Sequence, residues 1–108
     1  AVMALHLAES VEDYIIELVE ATRNPQAYGE PLSRWLQWGA SPRGAIAIER
    51  AARATAWLNE RDFVTPEDVQ QVAPDALRHR ILLSYEAAAD GITPQGCMEE
   101  ILRRVPSP

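Results

Sequence analysis

The apolar residues of positions 11–23 recur at i, i+3, i+4, i+7, i+8 and i+11, and acidic residues fill much of the opposite face. That spacing places the apolar side chains on one stripe of an α-helix. A second stripe lies at 94–104, and an alanine-rich segment with larger apolar residues covers 42–59. With a further segment at 66–79, these patterns predict an all-α fold, a small bundle of four main helices.

Three of these helices have a strong start signal in the sequence. Each begins with a hydroxyl residue followed by proline, at Ser41-Pro42, Thr65-Pro66 and Thr93-Pro94. The hydroxyl accepts a hydrogen bond from a free N–H of the first turn, and proline is already set at a helical φ without an N–H to leave unpaired. The pattern therefore predicts three helix N-termini.

The other boundaries are predicted from weaker signals. Ser10 and Asp13 suggest a variant of the capping box at the start of the first helix. Pro74 is expected to break the third helix after about two turns. We expect a short helical turn near 31–37, because a structureless connection of that length is uncommon, and a short extended segment near 80–84.

Two tryptophans, Trp35 and Trp38, lie in the connection between the first two main helices. Large aromatic side chains need a surface to cover. They either pack on the core of this domain or dock onto a partner, and the sequence leaves both open.

Length and charge narrow the class of protein. The chain has 108 residues, enough for a single domain, and a net charge of -6. An acidic surface repels phosphate backbones, which argues against nucleic-acid binding and against a helical DNA-binding domain. No apolar run approaches the roughly 20 residues of a membrane span. The single cysteine, Cys97, fits a reducing cytoplasm and is expected to be a buried structural thiol.

Most catalytic constellations are excluded by the residue inventory. All ten basic residues are arginine, so no P-loop lysine, Schiff-base lysine or Ser–Lys dyad can form. The two histidines, His6 and His79, are far apart in the sequence. We therefore expect no metal site, and we expect that the chain is not an enzyme on its own.

One position breaks a local rule. In GASPRG at 39–44, Arg43 falls in the first turn of a predicted helix, where the helix dipole already places partial positive charge. Free N–H groups, the dipole and a guanidinium would converge there, which describes an anion site, and phosphate is the usual anion. The alternative is an arginine that extends into water.

The GASPRG motif at the start of an alanine- and arginine-rich helix resembles the sensor 2 motif in the lid of MoxR-family AAA+ ATPases. The resemblance extends over nearly the whole chain in consistent order. The matching blocks are YII through TR at 14–23, RWLQWG at 34–39, FVTPEDV at 63–69, RHRI at 78–81, LSYE at 83–86 and RRVP at 103–106. Each block is a weak signal alone, and their shared order and spacing make the signal strong.

The resemblance implies roles for four residues of the motif. Arg43 would be the sensor 2 arginine that contacts the γ-phosphate of ATP, and Ala40, Ser41 and Pro42 would line the nucleotide pocket. ATP and Mg would be bound mainly by a core that this sequence lacks. The family also implies a cytoplasmic, chaperone-like hexameric ring, with neighbouring subunits and von Willebrand factor A-type proteins as partners.

Two organisations of the molecule are considered. In the first, residues 1–108 are a single AAA+ lid domain, and 1–8 are the stub of a linker from the missing core. In the second, the chain is a free-standing helical protein-interaction module that grips a partner through Trp35 and Trp38.

Overall fold

A computed structural model describes residues 6–108 of the chain. Within this range the chain forms six α-helices and one two-stranded sheet, and the prediction of an all-α bundle is confirmed. The elements are α1 (Glu9–Arg23), α2 (Leu32–Trp35), β1 (Leu36–Trp38), α3 (Arg43–Leu58), α4 (Pro66–Leu77), β2 (Leu82–Leu83), α5 (Tyr85–Ala89) and α6 (Pro94–Arg104). Of the predicted linker stub 1–8, the first five residues lie outside the described residues.

The two threonine–proline pairs cap and start their helices as predicted, whereas at Ser41-Pro42 the N-cap position is occupied by Pro42 and not by Ser41. Thr65 caps α4 in a full capping box, in which its hydroxyl accepts from the Asp68 N–H and the Asp68 carboxylate accepts from the Thr65 N–H. Thr93 caps α6 by accepting from the Gly96 N–H at 3.0 Å. Helix α3 begins at Arg43, one residue later than predicted.

Ser10 does not cap α1, and that prediction is wrong. The helix begins at Glu9, and Ala8 occupies the N-cap position without any side-chain hydrogen bond. The Ala8 carbonyl accepts from the N–H groups of Val11 and Glu12 at 3.1 and 3.0 Å. Burial of Val11 against the core fixes this first turn without a hydroxyl cap.

Pro74 does not break the third main helix, contrary to the prediction. Helix α4 is continuous through Pro74 and ends at Leu77, two residues before the predicted end at 79. The ring removes one N–H donor close to the helix end, where few hydrogen bonds depend on it. Ala73 and Leu77 are both fully buried, so packing holds the last turn in place.

A small antiparallel sheet joins the two connections of the bundle. β1 pairs with β2, with Leu36 opposite Leu83 and Trp38 opposite Leu82. The extended segment predicted near 80–84 is therefore confirmed. The helical turn predicted at 31–37 is confirmed as α2, but its last residues form β1, which the sequence did not predict.

The core lies where α1, α3, α4 and α6 meet, and α3 packs most extensively against α4. The largest fully buried side chains are Leu18, Leu32, Ile48, Val69, Leu77, Met98 and Ile101, with Thr22 and Cys97 among them. None of the helices among the described residues is both long and apolar enough to cross a membrane.

Candidate functional site

The start of α3 is fixed by a close contact with the end of α1. The buried Thr22 hydroxyl donates to the Val19 carbonyl at 2.6 Å and accepts from the Ala40 N–H at 2.9 Å. Gly39 lies so close to α1 that a Cβ added there would collide with the carbonyl of Thr22 and the Cα of Arg23. Only glycine fits at this position, and the close contact sets the direction in which the chain enters α3.

Arg43 is the first residue of α3 and its side chain is exposed. The Ser41 hydroxyl accepts from its backbone N–H at 3.2 Å. The first turn of α3 contains no acidic residue. Among residues 6–108, no side chain or carbonyl forms a hydrogen bond or ion pair with the Arg43 guanidinium. The positive end of the helix dipole and this cation thus face the solvent together.

The backbone donors of this turn are less available than the sequence predicted. The N–H of Arg43 bonds to the Ser41 hydroxyl, that of Gly44 to the Ser41 carbonyl at 2.8 Å, and that of Ala45 to the Pro42 carbonyl at 3.1 Å. The expectation of free N–H groups is therefore wrong for these three. Attraction for an anion rests on the guanidinium and the dipole.

The predicted nucleotide-lining residues lie together beside Arg43. Ala40, Ser41 and Pro42 line one open pocket with four other residues, which are Arg23, Gln37, Trp38 and Gly39. Ser41 and Pro42 are exposed, whereas Ala40 is 1% exposed and part of the core. Of the described residues that line this pocket, only Arg23 is charged.

Sequence reasoning missed two further arginines near Arg43. Arg50 and Arg80 line an open groove with Arg43, Ile46 and Ala47, which we call the arginine groove. Arg50 follows Arg43 by seven residues, a helical repeat that was visible in the sequence. Arg80 comes from the segment after α4, and only the tertiary fold brings it there.

The two tryptophans of the first connection have different environments. Trp35 is half-buried and packs against the core, as the first of the two predicted alternatives requires. Trp38 is 66% exposed on the two-stranded sheet. Trp35 therefore packs on the core of this domain, whereas most of the Trp38 indole is exposed.

No second chemical centre is found in the described part of the chain. Cys97 is buried, as predicted, and burial raises the pKa of its thiol to about 11, with a further contribution from the nearby Glu100. Among residues 6–108, no group of three or more His, Cys, Asp or Glu side chains is arranged to hold a metal ion.

Comparisons of the sequence and of the structure with known proteins identify the same kind of relative. The AAA lid domain family matches residues 33–101. Chaperone MoxR1 of Mycobacterium tuberculosis is 43% identical over 97 residues, which are 89% of this chain and 26% of that protein. Protein MoxR of Methylorubrum extorquens is 36% identical over 112 residues, which are 97% of this chain and 32% of that protein.

A solved structure is also closely similar. The crystal structure of a candidate ATPase from Cytophaga hutchinsonii is 48% identical and superimposes with a TM-score of 0.93, covering 99% of this chain and 33% of that one. The chain thus spans about a third or less of the relatives it matches. A matching family, MoxR relatives and the superposition agree, and the chain belongs to the AAA lid domain family.

Proposed function

We propose that this domain is the lid of a MoxR-type AAA+ ATPase and that Arg43 acts as its sensor 2 arginine. The observation that carries the proposal is the Arg43 guanidinium, which is exposed at the positive end of α3 and has no partner among residues 6–108. A cation in that position is unfavourable for the isolated domain. An anion supplied by another domain would compensate both the charge and the dipole.

The anion in this proposal is the γ-phosphate of ATP. A guanidinium is planar and donates two parallel hydrogen bonds, which matches the oxygens of a phosphate. Arg43 would orient the terminal phosphate and balance the charge that develops on it during transfer. Loss of that phosphate would release Arg43, so that the lid rotates as a rigid body against its core.

The remaining parts of the ATP site belong to the core in this proposal. In this proposal ATP and Mg are bound mainly by the core, and the lid alone hydrolyses no ATP. Ser41 and Pro42, with the buried Ala40, line the nucleotide pocket. We place the complete protein in a cytoplasmic, chaperone-like hexameric ring, with von Willebrand factor A-type proteins as candidate partners.

The test is the ATPase rate of the domain joined in cis to its core. We expect Arg43→Ala to lower turnover by about 10²-fold or more, the usual effect of removing one such charged donor. The unfolding transition of the lid should stay unchanged, because Arg43 makes no side-chain bond within it.

Arg103→Ala is the matched control. Arg103 is another exposed arginine, with 74% of its side chain accessible, and it lies on α6 in an ion pair with Glu100. Its removal should leave turnover unaltered. A ring carrying Arg43→Ala that hydrolyses ATP at the normal rate would contradict the sensor role.

A further inference from the structure

The arginines of this domain fall into two groups. Seven of the ten form an ion pair with a carboxylate of the same chain. The seven are Arg23, Arg34, Arg53, Arg61, Arg78, Arg103 and Arg104. Among residues 6–108, no carboxylate pairs with Arg43, Arg50 or Arg80, and these three line the arginine groove together.

These three arginines lie together without a carboxylate partner among the described residues, even though the chain as a whole is acidic. The sequence has sixteen acidic residues against ten arginines, so unpaired carboxylates are plentiful. Asp75 lines a neighbouring pocket together with Arg80, but its carboxylate pairs with Arg78 at 3.0 Å. Three guanidinium groups in one groove repel one another, and a bound anion would remove that repulsion.

The groove also has an apolar element. Arg43, Ile46 and Arg50 follow i, i+3 and i+7 and therefore share one face of α3. Two helical turns, about 10 Å, separate the two arginines along the helix axis. Ile46 lies between them and is 51% exposed, and Ala47 adds to the apolar lining. Arg80 is fixed at the groove by a bond from its Nε to the Ala76 carbonyl at 3.1 Å.

We infer that the arginine groove binds an acidic amphipathic helix of a protein partner. Its carboxylates would pair with Arg50 and Arg80, and an apolar side chain on the same face of the partner helix would cover Ile46 and Ala47. This binding goes beyond the role of Arg43 in ATP hydrolysis and does not depend on it, since Arg50 and Arg80 supply the charge. The partner helix carries its acidic and apolar residues on one face, as residues at i, i+3 and i+7 of a helix do.

Both the apolar lining and the overall charge favour a protein over a phosphate ligand. A free phosphate or phosphate chain gains nothing from covering an exposed isoleucine, whereas an amphipathic helix buries it. A nucleic acid presents a long row of phosphates and would meet the sixteen acidic residues on the rest of this small domain. A short acidic helix confines its charge to the groove.

The experiment uses a fluorescent 15-residue helical peptide with Glu, Leu and Glu at i, i+3 and i+7, and a counterpart with Gln in place of each Glu. Binding to the chain is measured by anisotropy at 50 and 300 mM salt. We expect the acidic peptide to bind, with affinity falling as salt rises. The double variant Arg50→Gln, Arg80→Gln should bind at least tenfold more weakly, and the Gln peptide should not bind.

Two controls separate the contributions of charge, apolar contact and fold. Arg103→Gln removes an exposed arginine outside the groove and should bind like the unmodified chain. Ile46→Ala should weaken binding several-fold while leaving the salt dependence as it is. Thermal unfolding of every variant shows whether the fold is kept.

Three results would overturn the inference. The first is equal binding of the acidic peptide to the chain and to the double variant. The second is tripolyphosphate binding that requires Arg50 and Arg80 while the acidic peptide does not compete, which would assign the groove to phosphate. The third is self-association in sedimentation that depends on the same arginines, which would make a second copy of the chain the occupant.

Discussion

The N-termini of α3 and α4 each have an arginine nearby, but they are completed in different ways. At α4, Thr65 caps the helix, Asp68 is in the first turn, and Arg61 pairs with that carboxylate through two bonds of 2.6 Å. At α3, the first turn has no acidic residue, and Arg43 extends from it without a partner among residues 6–108. We call the N-terminus of α4 the closed end, because its arginine is paired with a carboxylate, and the N-terminus of α3 the open end, because within residues 6–108 its arginine is not.

The two ends show what distinguishes a structural arginine from one available to a ligand. Asp68 is 3% exposed, and its oxygens are all used by Arg61 and Thr65. Arg61 also lies 5.8 Å from the centre of the Phe63 ring. Arg43 has none of these restraints. Its guanidinium is therefore available to pair with the phosphate that we propose.

The largest effect is expected where α3 is placed against α1. Gly39→Ala puts a Cβ into the backbone of Thr22 and Arg23, which cannot move aside as a flexible side chain would. We expect the free energy of unfolding to fall by about 3 kcal/mol, measured by urea denaturation. The substitution would displace the N-terminus of α3 relative to α1 without changing any charged residue.

Gly96→Ala is the control for this glycine substitution. A Cβ at Gly96 would meet only the Thr93 hydroxyl, at 3.3 Å. Its effect should stay within about 1 kcal/mol, since alanine also favours a helix. Equal effects at both glycines would mean that Gly39 does not set the position of α3.

Breaking the closed end should give the next largest effect. Asp68→Ala removes the capping box of α4 and leaves Arg61 unpaired. We expect a loss of about 2 kcal/mol of unfolding free energy, less than for a fully buried pair because the Arg61 side chain is 27% exposed and can reach water. Arg43→Ala under the same conditions should change the stability by less than about 0.5 kcal/mol. Comparable losses would erase the contrast between the two ends.

The closed end should also show a pH dependence. The hydrogen bonds from Arg61 hold the pKa of the Asp68 carboxyl below its usual value, with further help from Thr65 and against the cost of burial. A carboxylate with a depressed folded-state pKa stabilises the fold above the unfolded value, near 3.9, and loses that contribution as the pH falls through the folded value. The stability difference between the chain and Asp68→Ala should therefore shrink below about pH 4 in urea titrations. A difference that stayed constant down to pH 2 would contradict this.

The smallest effect tests the open end by reversing its charge. Arg43→Glu places an acidic residue at the positive end of α3, so the isolated domain should become more stable by about 0.5 kcal/mol. The gain should fade at 1 M salt, where the charge is screened. Arg50→Glu changes the net charge equally but lies mid-helix, and it should give a smaller gain. Loss of stability with Arg43→Glu would mean that Arg43 supports the fold.

Local signals in the sequence predicted the helices well because their causes are local. Thr65 and Thr93 cap the helices they precede through bonds that span three residues. The break predicted at Pro74 did not occur, because burial of its neighbours, a tertiary effect, keeps α4 intact. β1 was missed because Leu36–Trp38 becomes a strand only by pairing with Leu82–Leu83.

The candidate site was predicted in part for the same reason. Arg43 stood out because its charge conflicts with the helix end on which it lies, and both facts are visible in six residues. Arg80 could not be predicted, since the segment after α4 reaches α3 only through the fold. The internal bonding of the first N–H groups also depends on the exact shape of the turn at Ser41 and Pro42.

The buried thiol of Cys97 makes the domain convenient for labelling. Because burial raises the pKa of this thiol to about 11, very little of it is ionised at pH 7.5, and the fold shields it from reagents. A cysteine introduced at an exposed position, such as Arg103→Cys, would react with a maleimide dye far faster than the native one. Distance changes between this domain and an attached core can thus be followed by fluorescence without replacing the native cysteine.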